Sequence, residues 1–335
     1  MTAEPDFDKP AVVLPPTTLY WGRLSAHYGL VLVFIIVVVG FSLARPESYP
    51  TVVNLQTIAS TSAVLAVLAL AAVPPLIAGQ FDLSIGFQLA LAQSVGAALI
   101  IHGGLSPAVA ALVVLAVGLV VGAINGALVA YGGLNAFITT LATGILLQGA
   151  SQLVTNGEAI YGRMPDWWLA VGRADVFDIP LPLIYIAVLT ATLWVVFEYT
   201  TWGRQSLAIG ANPRAAVLVG LPVKIRIFQS FTITGLLSAA AGLLSVCILG
   251  SANPNVGVSY MLPAFAAVFL GATSITPGRF NAWGTVIAVY TLAAGITGLQ
   301  QFGAPFFIEQ FFNGAALLLA IALAKWAGRH SAQLS

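Results

Sequence analysis

The spacing of charge along this chain constrains its fold more than any other feature. Between residues 25 and 325 the sequence returns ten times to a mainly apolar stretch, and the charged side chains fall mostly between these stretches. They run over 25–44, 55–77, 84–101, 108–130, 136–155, 180–198, 227–250, 260–275, 283–300 and 306–325. Crossing a bilayer takes about 20 apolar residues, since the hydrocarbon is ~30 Å thick and a helix rises ~1.5 Å per residue. A backbone in hydrocarbon must satisfy its own N–H and C=O groups, which makes such stretches helices. The expected fold class is an all-α integral membrane protein with ten transmembrane helices, although the stretches near 84 and 260 are short enough to be half-spanning segments.

Composition excludes the soluble alternative. Hydrophobic residues make up 59% of the chain before its 33 glycines are counted, and charged residues 7%, against about 25% in soluble proteins. So few charges leave too little polar surface to cover a globule of this size. The net charge of +1 shows no basic excess that would suit nucleic acid. The lone Cys247 excludes an intramolecular disulfide and a cysteine metal cluster, and its apolar surroundings read as those of a buried thiol.

Basic residues orient the spans. Arg204, Arg214, Lys224 and Arg226 share one connection without an acid, which places it in the cytoplasm. The connection before it carries Glu158, Asp166, Asp175 and Asp178 with Trp167 and Trp168, and suits the external side. Counting spans from there puts Arg23, Arg279, Lys325 and Arg329 inside. The expected organisation is a cytoplasmic N-terminal tail, 1–24, a transmembrane domain, 25–326, and a cytoplasmic C-terminal tail, 327–335. Within the domain lie an external loop, 156–179, and a cytoplasmic loop, 199–226. The first residues are proline-rich, with Glu4, Asp6 and Asp8 and no basic region, unlike a secretory signal.

Five spans precede the external loop and five follow it, so the halves enter the membrane from opposite sides as an inverted repeat. Each half has a zone of helix breakers, Pro74, Pro75 and Gly79 in one and Pro254, Gly257 and Pro263 in the other. Such breaks border transport pathways, and they also kink packed helices. Gly118, Gly122 and Gly126 make a flat strip for close helix packing, within one subunit or between two.

Asp82 stands between two apolar stretches, where a carboxylate at membrane depth costs ~2.5 to 3.5 kcal/mol. With Gln80 and Ser84 it either lines a polar cavity or caps a helix at the cytoplasmic surface. Asn125, Thr139, Thr143 and Gln148 in the first half and Asn313 in the second are neutral hydrogen-bonding groups inside spans. They suit a polyhydroxylated solute better than an ion, and equally serve as contacts between helices. These eight residues are the candidate solute path. No chain of intramembrane acids or histidines suggests proton coupling, and no nucleotide-binding loop, metal motif or nucleophile elbow occurs. No catalytic residue, metal or cofactor is expected. In the cytoplasmic loop, Asn212 can cap a short helix, Pro213 suits its first position and Gly220 can end it. Such a helix is a docking element for another protein or a connector on the membrane surface.

The run Gly203 to Leu221 resembles the cytoplasmic loop of ribose/xylose-type permeases of sugar ABC importers, which reads Gly-Arg-x-x-x-Ala-Ile-Gly-Gly-Asn-x-x-Ala-Ala-x-x-x-Gly-Ile. The Asp82 run is similar to that family's Gly-Gly-Ile-Asp-Leu-Ser-Val-Gly, and Phe137 to Leu141 to its Phe-Ile-Val-Thr-Leu. Phe269 to Ser274 and Trp283 to Thr285 extend the likeness across nearly the whole membrane region. The chain departs from the family at Tyr260-Met261-Leu262-Pro263-Ala264, where Tyr-Glu-Leu-Asp-Ala is common, and at Pro277, where glycine is.

The resemblance implies a type II ABC importer-like fold in the inner membrane, with no chemistry on the solute. It implies a second permease copy or paralogue, cytoplasmic ABC ATPase subunits, and a periplasmic or lipid-anchored sugar-binding protein. Arg204, Asn212, Pro213, Arg214, Ala215, Ala216 and Gly220 would then form the ATPase-coupling loop. A branched-chain amino-acid ABC permease and a secondary transporter are the alternatives.

Overall fold

The computed structural model describes the backbone of residues 16–332 and the side chains of residues 27–319 and 322. Six helices come first: α1 (Pro16–Ala44), α2 (Val52–Thr61), α3 (Ala63–Ile77), α4 (Ile85–Ile101), α5 (Pro107–Ala130) and α6 (Ala136–Thr155). Strand β1 (Ile160–Tyr161), helix α7 (Asp166–Arg173) and strands β2 (Asp175–Val176) and β3 (Ile179–Pro180) follow. Then come α8 (Leu181–Tyr199), α9 (Thr201–Ala211), α10 (Pro213–Leu218), α11 (Val223–Leu249), β4 (Ser251–Ala252), α12 (Gly257–Gly271), α13 (Ala282–Gln301) and α14 (Ile308–Ala332).

Every apolar stretch falls on helix, and among the described residues seven helical segments are long and apolar enough to cross a membrane. The two short stretches fall on α4 and α12, of 17 and 15 residues. At ~1.5 Å per residue α12 reaches only about 22 Å, less than the ~30 Å hydrocarbon. The stretch 55–77 is broken at Ser62, after two threonines whose hydroxyls donate back to helix carbonyls, Thr57 to Val53 and Thr61 to Thr57. Pro74 and Pro75 lie inside α3, and Pro263 inside α12, so the breaks themselves fall elsewhere, at Gly79–Ser84 after α3 and at Asn253–Val256 before α12. Helix also extends into both stretches read as tails, from Pro16 and to Ala332, while 1–15 and 333–335 lie outside the described residues.

Helix α3 is the centre. All its residues except Leu65 are buried, as expected for a helix apolar on every side. Its alanines, among them Ala63, Ala66, Ala69 and Ala72, let α4, α8, α11, α12 and α13 approach closely. Around it the helices meet through glycine. A methyl group built on Gly118, Gly122 or Gly126 would lie 2.4 to 2.8 Å from α11, against Ala239, the Phe231 carbonyl and the Phe228 carbonyl. The strip therefore joins two helices of one subunit. Gly242 of α11 fits against the Leu89 carbonyl of α4, Gly86 of α4 against the Gly257 carbonyl of α12, and Gly271 of α12 against Gly284 of α13.

The segment between α6 and α8 is folded onto the bundle. β1 pairs antiparallel with β4, Ile160 opposite Ala252, and so joins the connection after α6 to the end of α11. β2 and β3 form a hairpin whose central residues, Phe177 and Asp178, both have positive φ, as two-residue hairpin turns require. Helix α7 buries Trp168 against α11, and Arg173 Nε donates to the Ile248 carbonyl at 2.8 Å, satisfying one of the last carbonyls of that helix.

Replacing Gly122 with alanine drives a methyl group into helix backbone and is expected to cost about 1 to 3 kcal/mol. Thermal unfolding of the purified protein in detergent measures this, with Gly149→Ala, whose position is open, as the neutral control.

Candidate solute path

One hydroxyl organises the buried polar residues where α4 begins. Ser84 Oγ donates to Asp82 Oδ1, and accepts from Gln88 Nε2 at 2.7 Å and Asn125 Nδ2 at 2.9 Å. Its single proton and both lone pairs are used, which fixes the orientation of a carboxylate and two amides. The Ser84 amide also donates to Asp82 Oδ1, and the Leu83 amide to Thr140 Oγ1 of α6, so the turn leading into α4 is held by side chains. Asp82 is 1% exposed and Ser84 and Asn125 are 0%. Asp82 thus caps an amide from the interior rather than at a solvated surface. Its Oδ2 atom, with Gln88 Oε1 and Asn125 Oδ1, accepts from no protein donor. Buried acceptors without donors cost ~1 to 3 kcal/mol each. The cluster therefore holds acceptor capacity that no protein donor uses.

A second polar group lies further along α4. Gln93 Nε2 donates to the Asn253 carbonyl at 2.7 Å and Gln93 Oε1 accepts from Ser245 Oγ of α11. On α6, Gln148 Nε2 donates to the Pro254 carbonyl and, with Gln152 Nε2, to Asn255 Oδ1. Glutamines from two helices therefore pin the break before α12. The Gly86–Gly257 contact joins the two groups, bringing the broken zone of each half of the chain together.

Of the residues expected to line the path, Asp82, Ser84 and Asn125 share this inner cluster, with Gln80 half-buried just before it. Gln148 belongs to the second group. Thr139 is buried, and Thr143 donates to the carbonyls of Thr139 and Thr140 in its own helix. Asn313 stands apart on α14, buried, with its Oδ1 unpartnered. Gln88, Gln93, Asn253 and Asn255 were not singled out by sequence reasoning. An amide inside an apolar run is the same signal that marked Asn125, and it applied to Gln88 and Gln93.

The loop expected in the cytoplasm, 199–226, forms α9 and α10. Asn212 accepts from the Ala215 amide at 3.0 Å, Pro213 opens α10, and Gly220 at φ 77° turns the chain out of it. Ala216 is buried while Val217, Leu218 and Val219 are 61, 88 and 74% exposed, an apolar tip that calls for a covering surface. Arg214 and Ala215 are exposed beside it. Arg204 instead donates to the Tyr199 carbonyl, and Arg226 bonds Gln205 and Gln229, tying α9 to α8 and α11. At its far end α9 meets the α3–α4 turn glycine to glycine: a methyl group on Gly210 would lie 2.1 Å from the Ile77 carbonyl, and one on Gly79 3.2 Å from Gly210 Cα.

Ser84→Ala is expected to leave two buried amide donors, Gln88 Nε2 and Asn125 Nδ2, without their acceptor, while Asp82 Oδ1 keeps the backbone amide of residue 84, and to lower stability by about 2 kcal/mol. Chemical or thermal unfolding measures it, with Ser259→Ala, an exposed site, as the comparison. Gly210→Ala is expected to reduce transport in cells while the protein still inserts, as uptake and membrane-fraction immunoblots would show together.

Residues 54–321 match the family described as Branched-chain amino acid transport system / permease component. The chain is 33% identical over 302 residues to ribose import permease protein RbsC of Bacillus subtilis, covering 90% of this chain and 92% of that protein. It is 31% identical to ribose import permease protein RbsC of Escherichia coli K12, over 87% and 91% of the two chains. Against the D-allose transport system permease protein AlsC of Escherichia coli K12 it is 30% identical, over 91% and 92%. No solved structure matches the chain. The chain belongs to the branched-chain amino acid transport system / permease component family.

Proposed function

We propose that this chain is the membrane-spanning permease subunit of an ATP-binding cassette importer, carrying a monosaccharide or related polyol across the cell (inner) membrane. The observation that carries the reading is likeness over nine-tenths of the chain to permeases named for ribose and allose. The interior supports it. Its polar groups along α4 are amides, hydroxyls and one carboxylate, and the unpartnered ones are acceptors, which suit sugar hydroxyls. The family's own description names branched-chain amino acids, so the solute is decided by experiment rather than by family.

In this reading the chain crosses the membrane ten times as two inverted halves, with both termini in the cytoplasm. Gln80, Asp82, Ser84, Asn125, Thr139, Thr143, Gln148 and Asn313 border the path, the inner cluster and the α4–α12 crossing forming its central part. A second permease, copy or paralogue, completes the membrane unit, cytoplasmic ATPase subunits supply the energy, and an external sugar-binding protein delivers the solute. The α10 tip docks on the ATPase. Asn212 and Gly220 shape the tip, Arg214, Ala215 and Ala216 belong to it, and Arg204 fixes its root. Movement of α9 passes through the Gly210–Gly79 contact to the turn that carries Asp82.

Uptake of labelled ribose, allose and leucine by cells expressing the chain with its ATPase and binding protein tests the proposal. Sugar uptake that stops when the ATPase is inactivated supports it; leucine uptake favours the amino-acid reading, and gradient-driven transport without an ATPase would refute it. Arg214→Glu is expected to leave the protein inserted and ATP hydrolysis running while sugar uptake falls about tenfold, the effect of ~1.4 kcal/mol of lost coupling. Parallel assays of hydrolysis and uptake in proteoliposomes would detect the split.

A further inference from the structure

Where α8 ends, a half-open cavity of about 290 Å³ lies between that helix and the α12–α13 connection. Its lining includes Trp194, Glu198 and Tyr199 from α8, and Thr276 and Trp283 from the other side. Trp194 and Tyr199 meet edge to face at 5.2 Å between ring centres. The volume is near the lower limit of about 300 Å³ for small-molecule sites.

The opposite wall is built rather than loose. Ile275, a β-branched residue, has φ 63°, which an L side chain rarely adopts and which persists only where neighbours enforce it. Here they do: the Ile275 amide and the Ser274 hydroxyl both donate to the His27 carbonyl, and buried Asn281 donates to the carbonyls of Gly271, Ser274 and Arg279. The Thr276 hydroxyl beside them is buried and has no partner.

We propose that this cavity binds the headgroup of a membrane lipid bearing a primary ammonium, of the phosphatidylethanolamine class. Two indole rings, a phenol ring and a carboxylate around one small space are the chemistry that recognises an ammonium: the ring faces attract the cation, the carboxylate accepts its hydrogens, and the Thr276 oxygen supplies another acceptor. The position fits a lipid. α8 is long and apolar enough to cross the membrane, and its last turn carries the aromatic residues that sit at headgroup level. A cation stands beside one lining residue, since Arg204 donates to the Tyr199 carbonyl, and a zwitterion carries an anionic phosphate that a neighbouring guanidinium suits. The inference requires only that the chain is membrane-embedded, and holds whatever solute it carries.

The full chain, purified in mild detergent and stripped of lipid, is titrated with phosphatidylethanolamine or phosphatidylglycerol, and retained lipid is counted by native mass spectrometry. Phosphatidylethanolamine is expected to be retained about tenfold better, corresponding to one cation–π contact of ~1 to 2 kcal/mol. Glu198→Gln and Trp283→Ala should each abolish the preference and Trp283→Phe keep most of it, with unchanged thermal unfolding of Glu198→Gln as the folding control. Equal retention of the two lipids, or an undiminished preference in Glu198→Gln, overturns the proposal. So does displacement of bound phosphatidylethanolamine by an equal concentration of water-soluble glycerophosphoethanolamine, which would mark the cavity as a site for a free amine.

Discussion

Two helices that meet in hydrocarbon displace lipid tails as apolar as themselves, so burial alone does not hold them together. What remains is close contact, and in this protein glycine provides it at most of the major crossings. Gly118, Gly122 and Gly126 seat α5 on α11, Gly242 seats α11 on α4, Gly86 and Gly257 cross α4 with α12, and Gly271 and Gly284 close α12 on α13. Each contact brings backbone against backbone at distances that a single methyl group would disrupt. The alanine-rich α3 occupies the middle on the same terms.

Those contacts also locate the polar residues. α4 is held by glycine packing on two sides, and from that fixed rod Ser84 and Gln88 reach the inner cluster while Gln93 and Ser94 reach α11, the connection before α12, and α6. A hydroxyl that binds three side chains at once tolerates little displacement of the rod. The same economy of space governs the approach of α9, which touches the Asp82 turn through Gly79 and Gly210. No side chain lies between the two backbones at that contact.

The helices were legible because hydrocarbon leaves a backbone few alternatives, and an apolar run of sufficient length announces itself. The cap, first position and terminator of α10 were legible too, since Asn212, Pro213 and Gly220 act within a few residues of one another. What the sequence concealed was pairwise. The Gly118 strip was visible, but its partner stands more than a hundred residues away, and nothing local distinguishes α11 from a second subunit. Asp82 carried the right polarity, yet the turn that buries it is held by residues of two other helices, Asn125 bonding Ser84 and Thr140 bonding the Leu83 amide. Gln88 and Gln93 went unremarked because a single amide in an apolar run becomes meaningful only when its partner is known. Asn313 shows the converse, a residue that looked like its fellows and lies apart from them.

The α5–α11 contact has a consequence for biogenesis. Gly235 is made 117 residues after Gly118. At bacterial and eukaryotic synthesis rates of about 5 to 20 residues per second, that separation amounts to roughly ten seconds. Throughout that interval α5 is in the membrane with its glycine strip uncovered, as is the Leu89–Ala92 face of α4 that Gly242 later fills. A nascent chain in this condition is a ready partner for any other helix with a flat face, including α5 of a neighbouring nascent copy. The order of synthesis, with α11 made after α5 and α4, therefore leaves the first half of the protein waiting on the second for the contact that makes it specific.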